Sequence, residues 1–319
     1  MNTITAFIIF FIILVLYIHI THQYTKSDDL EIYEMDYVSK KQAQDVFELR
    51  QPVLFDLQEI NPELFSGKGI DNIPSTNFSD EVYIKDTNDI ANTGDCVPLP
   101  FSSAERLIAT DTQSKYFSEN NHSFILETIE HEYKDFDKLL KPPFTVCTKY
   151  DLLFGSNGSN TALKYHTADA KFLCITSGKI QVKMTPWKNR ELLHYENDYD
   201  NYEFRSPINP WKTTDYEKVK FIEFDIQKGT ILYVPPFWFY SIRFSKIENN
   251  DNLSCIYQTE YHTFANILSN LPHWSKYFIN QYITKKKVLK ELSVPKEPEE
   301  ILKEIAVEHE SREPSILEK

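Results

Sequence analysis

Few residues in this chain are spaced for chemistry. His166 and Asp169 stand as H-x-x-D, an imidazole and a carboxylate that could share a metal ion. Residues i and i+2 share one face of a strand, so a spacing of three brings the pair together only across a bulge. A third donor would come from elsewhere; His194 and His262 are candidates, and nothing in the spacing argues for either. Lys164, two residues before His166, could hold an anion, and a lysine buried alone would titrate low. Phe237-Trp238-Phe239-Tyr240 could line a ligand pocket or pack an interior. The neighbouring acids Asp198/Asp200 and Glu299/Glu300 read as surface charges, not as a catalytic carboxylate pair. The sequence has no G-x-S-x-G elbow, no H-E-x-x-H, no C-x-x-C and no glycine-rich phosphate loop.

These residues need a scaffold, and composition bounds it. The chain has 319 residues, 34 Lys+Arg against 47 Asp+Glu, a net charge of −13, 7 Gly and 4 Cys. That length supports one large or two small domains with a sizeable core. The acidic balance excludes a protein that coats nucleic acid, which needs clustered Lys and Arg. The four cysteines, Cys96, Cys147, Cys174 and Cys255, are scattered with no metal spacing, and Cys174 lies in an apolar strand-like run.

Ile4 to Ile20 reads ITAFIIFFIILVLYIHI, without a formal charge. As a helix it spans about 26 Å, enough for a short bilayer crossing. It lacks the basic n-region and small-x-small site of a secretory signal peptide, so a single membrane anchor is expected over 1–25. The flanks do not fix the side of the membrane. Lys26, Lys40 and Lys41 are mixed with acids, and the four sequons at Asn77, Asn121, Asn157 and Asn252 are about what composition gives by chance.

Residues 26–50 read as a linker and entry segment. Strands are expected at Gln51–Leu57, Glu81–Lys85, Phe172–Thr176, Lys179–Met184 and Ile231–Val234, with turns at Ser177-Gly178 and Lys228-Gly229. Lys179–Met184 alternates cleanly, which predicts one wet face. A helix is expected over Ser102–Glu132, capped by Ser102 or Ser103 with Glu105. The acidic, tyrosine-rich stretch 195–203 reads as a solvated loop that could bind a partner. Beyond residue 262 the pattern turns helical, and 298–306 reads as an amphipathic, Pro-started helix suited to solvent or a docking partner.

Two stretches carry a resemblance. Thr161-Ala-Leu-Lys-Tyr-His-Thr-Ala-Asp leads through an apolar strand and Ser177-Gly178-Lys179 to Thr185-Pro186-Trp187. The second is Lys228-Gly-Thr-Ile-Leu-Tyr-Val-Pro-Pro-Phe-Trp-Phe-Tyr-Ser241. Together they resemble the cupin-like/JmjC family of double-stranded β-helix barrels, which includes Fe(II)- and 2-oxoglutarate-dependent hydroxylases. Phe204-Arg205-Ser206-Pro207-Ile208-Asn209-Pro210-Trp211 is similar to an element of membrane-anchored cupin-like proteins of large DNA viruses. A richness in Ile, Asn, Lys and Tyr suits an AT-rich genome. On this match the family's ligand positions fall on Lys164, His166 and Tyr240, and its co-substrate lysine position on Ile180, beside Lys179. A protonated lysine and a tyrosine do not make the facial triad.

The resemblance therefore implies a mainly β, α+β chain with flanking helices: a cupin-like barrel over 51–265, preceded by the anchor and followed by a helical, charged extension over 266–319. The expected function is a non-catalytic, membrane-bound binding or structural module, a pseudoenzyme without cofactor. Two alternatives stand beside it: an Fe(II)/2-oxoglutarate protein hydroxylase with rearranged ligands, using His166 and Asp169; and a metal-free cupin binding a small molecule or glycan in a pocket of Thr161, Lys164, Lys179, Trp238 and Tyr240.

Overall fold

The computed structural model describes residues 2–58, 61–73, 80–88, 96–212, 218–245 and 253–283. The chain opens with α1 (Thr3–His22), β1 (Tyr33–Glu34), α2 (Lys40–Phe47), β2 (Val53–Asp56), β3 (Glu81–Asp86) and β4 (Val97–Pro100). It continues through α3 (Phe101–Thr110), β5 (Tyr116–Ser118), α4 (His122–Thr128), α5 (Glu130–Leu140), β6 (Thr145–Gly155), β7 (Leu163–Tyr165), β8 (Ala170–Ser177) and β9 (Lys179–Thr185). It ends with β10 (Glu196–Asp198), β11 (Glu203–Ser206), β12 (Ile222–Gln227), β13 (Thr230–Val234), β14 (Phe239–Ser245), β15 (Ser254–Thr263), α6 (Phe264–Ser269) and α7 (Leu271–Ile283).

The strands form two sheets, a nine-stranded one in the order β1-β2-β13-β8-β15-β6-β5-β3-β4 and a six-stranded one in the order β10-β11-β7-β14-β9-β12. Alternation decides which side chains meet between them. Leu173, Ile175, Leu232 and Ile256 from the large sheet pack against Ile180, Val182, Met184, Ile242 and Phe244 from the small one. The outer face of the large sheet is covered by α2 to α5, through Phe47, Phe101, Phe124, Tyr133 and Phe136 against Phe172, Tyr233 and Tyr257. On β9 the expected alternation holds: Ile180, Val182 and Met184 are buried while Lys179, Gln181 and Lys183 are half-buried.

The two scarce glycines at the expected turns sit where the chain changes sheets. Gly178 links β8 to β9 with φ +73°, and Gly229 links β12 to β13 with φ +96°. The corners touch, since the Lys228 N–H donates to the Gly178 carbonyl at 3.2 Å. A Cβ at Gly178 would lie 2.6 Å from the Ser254 Cα, so glycine is required there by both backbone and space.

Three expectations are corrected. The helix over Ser102–Glu132 is broken into α3, α4 and the start of α5, with β5 between them. Asp111 breaks it: its carboxylate accepts from the backbone N–H groups of Gln113, Lys115 and Tyr116, a local turn that competes with helix. Nor is α3 capped by a serine; Pro100 precedes it, with no side-chain cap. The stretch 195–203 is not a solvated loop but is built around the hairpin of β10 and β11, with Tyr199 and Tyr202 packed on α7. Tyr199 meets His273 at 2.9 Å, and Tyr202 stacks on Trp274 at 4.5 Å. The helix expected over 298–306 lies outside the described residues.

The helix α1 is long and apolar enough to span a membrane, and none of its residues is buried against the rest of the chain. The segment after it is docked, with Lys26 over the rings of Trp187 and Phe237 at 4.6 and 4.4 Å. Among the sequons, Asn121 is closed by folding: its buried amide donates to Ser118 and to the Leu152 carbonyl.

Candidate functional site

One end of the space between the sheets is apolar; the other is filled with charge. Register places the residues that matter on the inward face. Lys164 on β7 lies opposite Tyr240 on β14, and Tyr240 lies opposite the buried Met184 on β9. Arg205 on β11 pairs with Lys164 from the other side, and Lys171 on β8 faces Glu260 on β15.

The Lys164 ammonium donates to Glu119, which also accepts from Lys85 at 2.8 Å. Glu203 stands 3.7 Å from Lys85 and 4.0 Å from Lys164, and its other oxygen is 3.4 Å from Arg205 Nε. Asn120 donates to Glu203 at 2.9 Å, and Asp198 pairs with Arg205. A second group adjoins the first: Lys171 contacts Glu260 at 2.6 Å and donates to the Tyr240 hydroxyl at 2.6 Å. Lys85, Glu119, Lys164, Lys171 and Glu203 are all buried.

Burial alone would discharge these groups, but partners outweigh it. Desolvation opposes charge on Lys164, while Glu119, Tyr240 and Glu203 hold its pKa above the ordinary lysine value. Lys85 and Lys171 are raised in the same way, against burial, chiefly by Glu119 and by Glu260. Glu119, Glu203 and Glu260 are all held below the usual carboxylate range, the lysines overcoming the burial penalty. Asp151, close by, goes the other way: burial pushes it up to about 6, although it accepts from the backbone N–H groups of Asn120 and Asn121.

The two buried histidines are neutral. His166 is lowered to about 3, first by burial and then by Lys171. Its Nε2 lies 3.0 Å from the Val234 carbonyl and must donate, which leaves a lone pair on Nδ1 with no partner. His262 is also lowered by burial; its Nδ1 meets Asn266 Oδ1 at 3.0 Å, and its Nε2 makes no hydrogen bond. That Nε2 is 4.0 Å from Glu260.

His166 and Asp169, the alternative H-x-x-D pair, do not share a strand. Thr167 to Asp169 turn the chain from the small sheet to the large one, so no bulged strand carries both residues. Asp169 is instead held by Arg50, which donates to its carboxylate at 3.1 Å and to its carbonyl at 2.8 Å. His194 is exposed and is not part of this buried group. Among the described residues, no group of three or more His, Cys, Asp or Glu is placed to hold a metal ion. Of the five residues considered for a pocket, Lys164 and Tyr240 face each other. Trp238 is buried, its indole donating to the Arg50 carbonyl at 3.2 Å. The buried Thr161 hydroxyl accepts from the Ile242 N–H at 3.0 Å. Lys179 does not join them; its ammonium pairs with Asp225 at 2.6 Å on the other face of the small sheet.

Apart from Arg205, the Phe204–Trp211 element packs on the outer face of the small sheet, with Tyr165 and Phe239. Phe204 stacks on Tyr165 at 4.9 Å, and the Trp211 indole donates to Ser241 at 2.8 Å beneath Arg243 and Lys183. Sequence reasoning missed Lys85, Glu119, Lys171, Glu203, Arg205 and Glu260. A signal existed for Lys171, a charge at an inward position of a largely apolar strand; the others have none that alternation alone could find.

No family model matches this chain, and no curated protein is detectably similar to it. What the fold and site define is an α+β protein of two sheets, with a buried ionic network between them and an N-terminal helix able to cross a membrane.

Proposed function

We propose that this is a single-pass membrane protein whose large domain is a cupin-like, JmjC-like double-stranded β-helix that works as a binding or structural module without oxygenase chemistry. The observation that carries the reading is the occupation of the family's ligand positions. Lys164 and Tyr240 face each other across one ladder, and each is consumed by an interior partner, Glu119 and Lys171. An iron centre needs two imidazoles and a carboxylate with free lone pairs. Lys164 is held protonated and Tyr240 is bound to an ammonium, so of the three positions only His166, through Nδ1, offers a free imidazole lone pair, and the residues present do not fit that group. Sheet-crossing at Gly178 and Gly229 is consistent with the scaffold being kept while the site is not. The similarity of Phe204–Trp211 to membrane-anchored viral proteins points to a viral membrane or virion as the setting.

The hydroxylase reading draws on one specific feature, the two unpartnered imidazole nitrogens of His166 and His262. It needs a carboxylate as well, and Glu260 is already committed to Lys171. Equilibrium dialysis of the full chain in detergent against Fe(II), with and without 2-oxoglutarate, separates the readings. The expected result is no stoichiometric iron. One iron per chain, lost on His166→Ala, would refute the non-catalytic reading.

A further inference from the structure

We infer that the loop around Phe144 and the start of α6 form an apolar patch that enters the interfacial layer of the bilayer crossed by α1. The inference rests on the reading of α1 as a membrane anchor and adds where the domain meets that membrane.

The exit of α1 is fixed to α6. Gln23, the residue that follows α1, is buried, and its amide oxygen accepts from Asn266 at 3.1 Å. Asn266 is itself buried and donates to the Thr167 carbonyl at 2.8 Å, so the contact reaches into the sheet connection. The Tyr24 hydroxyl donates to the Ser269 carbonyl, and His22 Nε2 lies 2.6 Å from Glu48. With Lys26 seated on Trp187 and Phe237, the chain does not leave the helix as a free tether. A helix whose body is exposed and whose last turn is docked places α6 at the level where the helix leaves the bilayer.

Large apolar side chains stand exposed at that level. Phe264 opens α6 and is 53% exposed, and its N–H donates to the Phe144 carbonyl at 3.2 Å. Phe144 is 87% exposed, next to Val146 at 62%, and Leu49 follows Glu48 at 53%. Phe144 also has φ +58°, a left-handed conformation that a bulky residue adopts only under constraint. The constraint is local: Pro142 and Pro143 precede it, and the Thr145 hydroxyl donates to the Pro142 carbonyl at 2.7 Å. An aromatic held out in this way is poorly served by water and well served by the headgroup–acyl boundary, where aromatic rings concentrate. Continuity with α1 identifies the occupant as that same bilayer. The chain's net charge of −13 favours zwitterionic over anionic lipid.

The test uses the full chain in phosphatidylcholine vesicles, with Cys96 and Cys147 changed to serine so that only buried cysteines remain. Single cysteines are introduced as Phe144→Cys, Phe264→Cys, Ile13→Cys and Lys228→Cys and labelled with an environment-sensitive fluorophore. Lys228 adjoins the Gly178 corner at the Ser254 end of β15, whose ten residues separate it from α6 by about 30 Å. The expected result is a blue shift at 144 and 264 with loss of emission when the lipid carries a shallow nitroxide. Position 13 is quenched by a deep nitroxide and position 228 by neither. Quenching at 13 without quenching at 144 or 264 overturns the patch and leaves the anchor standing. A blue shift at 144 that lipid nitroxides do not quench means protein covers the patch, which also overturns it. No quenching at 13 overturns the anchor and the patch together.

Discussion

Glu119 is the residue on which the buried network turns, and its replacement by glutamine tests that role with little change of shape. The carboxylate is 1% exposed and serves two ammonium groups, Lys164 and Lys85, the latter at 2.8 Å. In Glu119→Gln those two cations are left with Glu203, 3.7 Å from Lys85 and 4.0 Å from Lys164, which is also engaged by Arg205. Removing one partner of a buried ion pair costs about 3–5 kcal/mol, and here one change strands two charges, so the upper end applies. Lys164→Met is the informative contrast. It removes one cation, while Glu119 keeps Lys85 at 2.8 Å, so a cost of about 2–3 kcal/mol is expected, below the usual range for stranding a charge. The double variant should be less destabilised than the sum of the two, because neither change then strands the other's partner. Urea unfolding of the full chain in detergent, followed by near- and far-UV circular dichroism, reads the result. With a slope of about 2–3 kcal/mol per molar, a cost of about 5 kcal/mol in Glu119→Gln lowers the midpoint by about 1.7–2.5 M. Lys164→Met costing more than Glu119→Gln, or both costing under about 1 kcal/mol, would refute the network as the element that fills this end of the interior.

Two further outcomes follow from the same structure. Folding holds His166 near 3, below the ordinary imidazole value; its contribution to stability is therefore full above about pH 6.5 and is lost as pH falls toward 3, at about 1.4 kcal/mol per pH unit. Urea midpoints between pH 4.5 and 6.5 should fall less steeply for His166→Gln than for wild type, and equal slopes would contradict the assignment; the depressed glutamates act in a lower window, below about 4.5. Gly178→Ala must hold an alanine at φ +73° with its Cβ against the Ser254 backbone, so a loss above about 2 kcal/mol is expected in the same unfolding assay, and a neutral result would mean the corner can be rebuilt.

Local pattern made the strands legible. Alternation located β9, and glycine at two turns located the ends of β8 and β13, because both signals are written within a few residues. Ser102–Glu132 misled because its apolar spacing is helical, while Asp111 and the left-handed Asn120 divert the backbone through side-chain and turn chemistry that periodicity ignores. The ionic interior was illegible for a different reason. Glu119 reaches Lys164 across 45 residues and Tyr240 reaches Lys171 across 69, so each charge is explained only by a partner that the fold brings from elsewhere. Lys164 and Tyr240 could be named from the resemblance; what holds them could not.

The order of strands in the large sheet also constrains when the protein can fold. One half of that sheet is β1-β2-β13-β8 and the other is β6-β5-β3-β4, and among the described strands β15 alone joins them. β2 finds its antiparallel partner only when β13 exists, with Val53 opposite Tyr233. During synthesis the N-terminal helix therefore emerges long before any complete sheet can form, and the two halves wait, edges open, for residues 254–263. Such non-local closure is slow, and it exposes unpaired strands for as long as it lasts. A chain stopped just short of β15 would lose the seam between the halves rather than a terminal ornament.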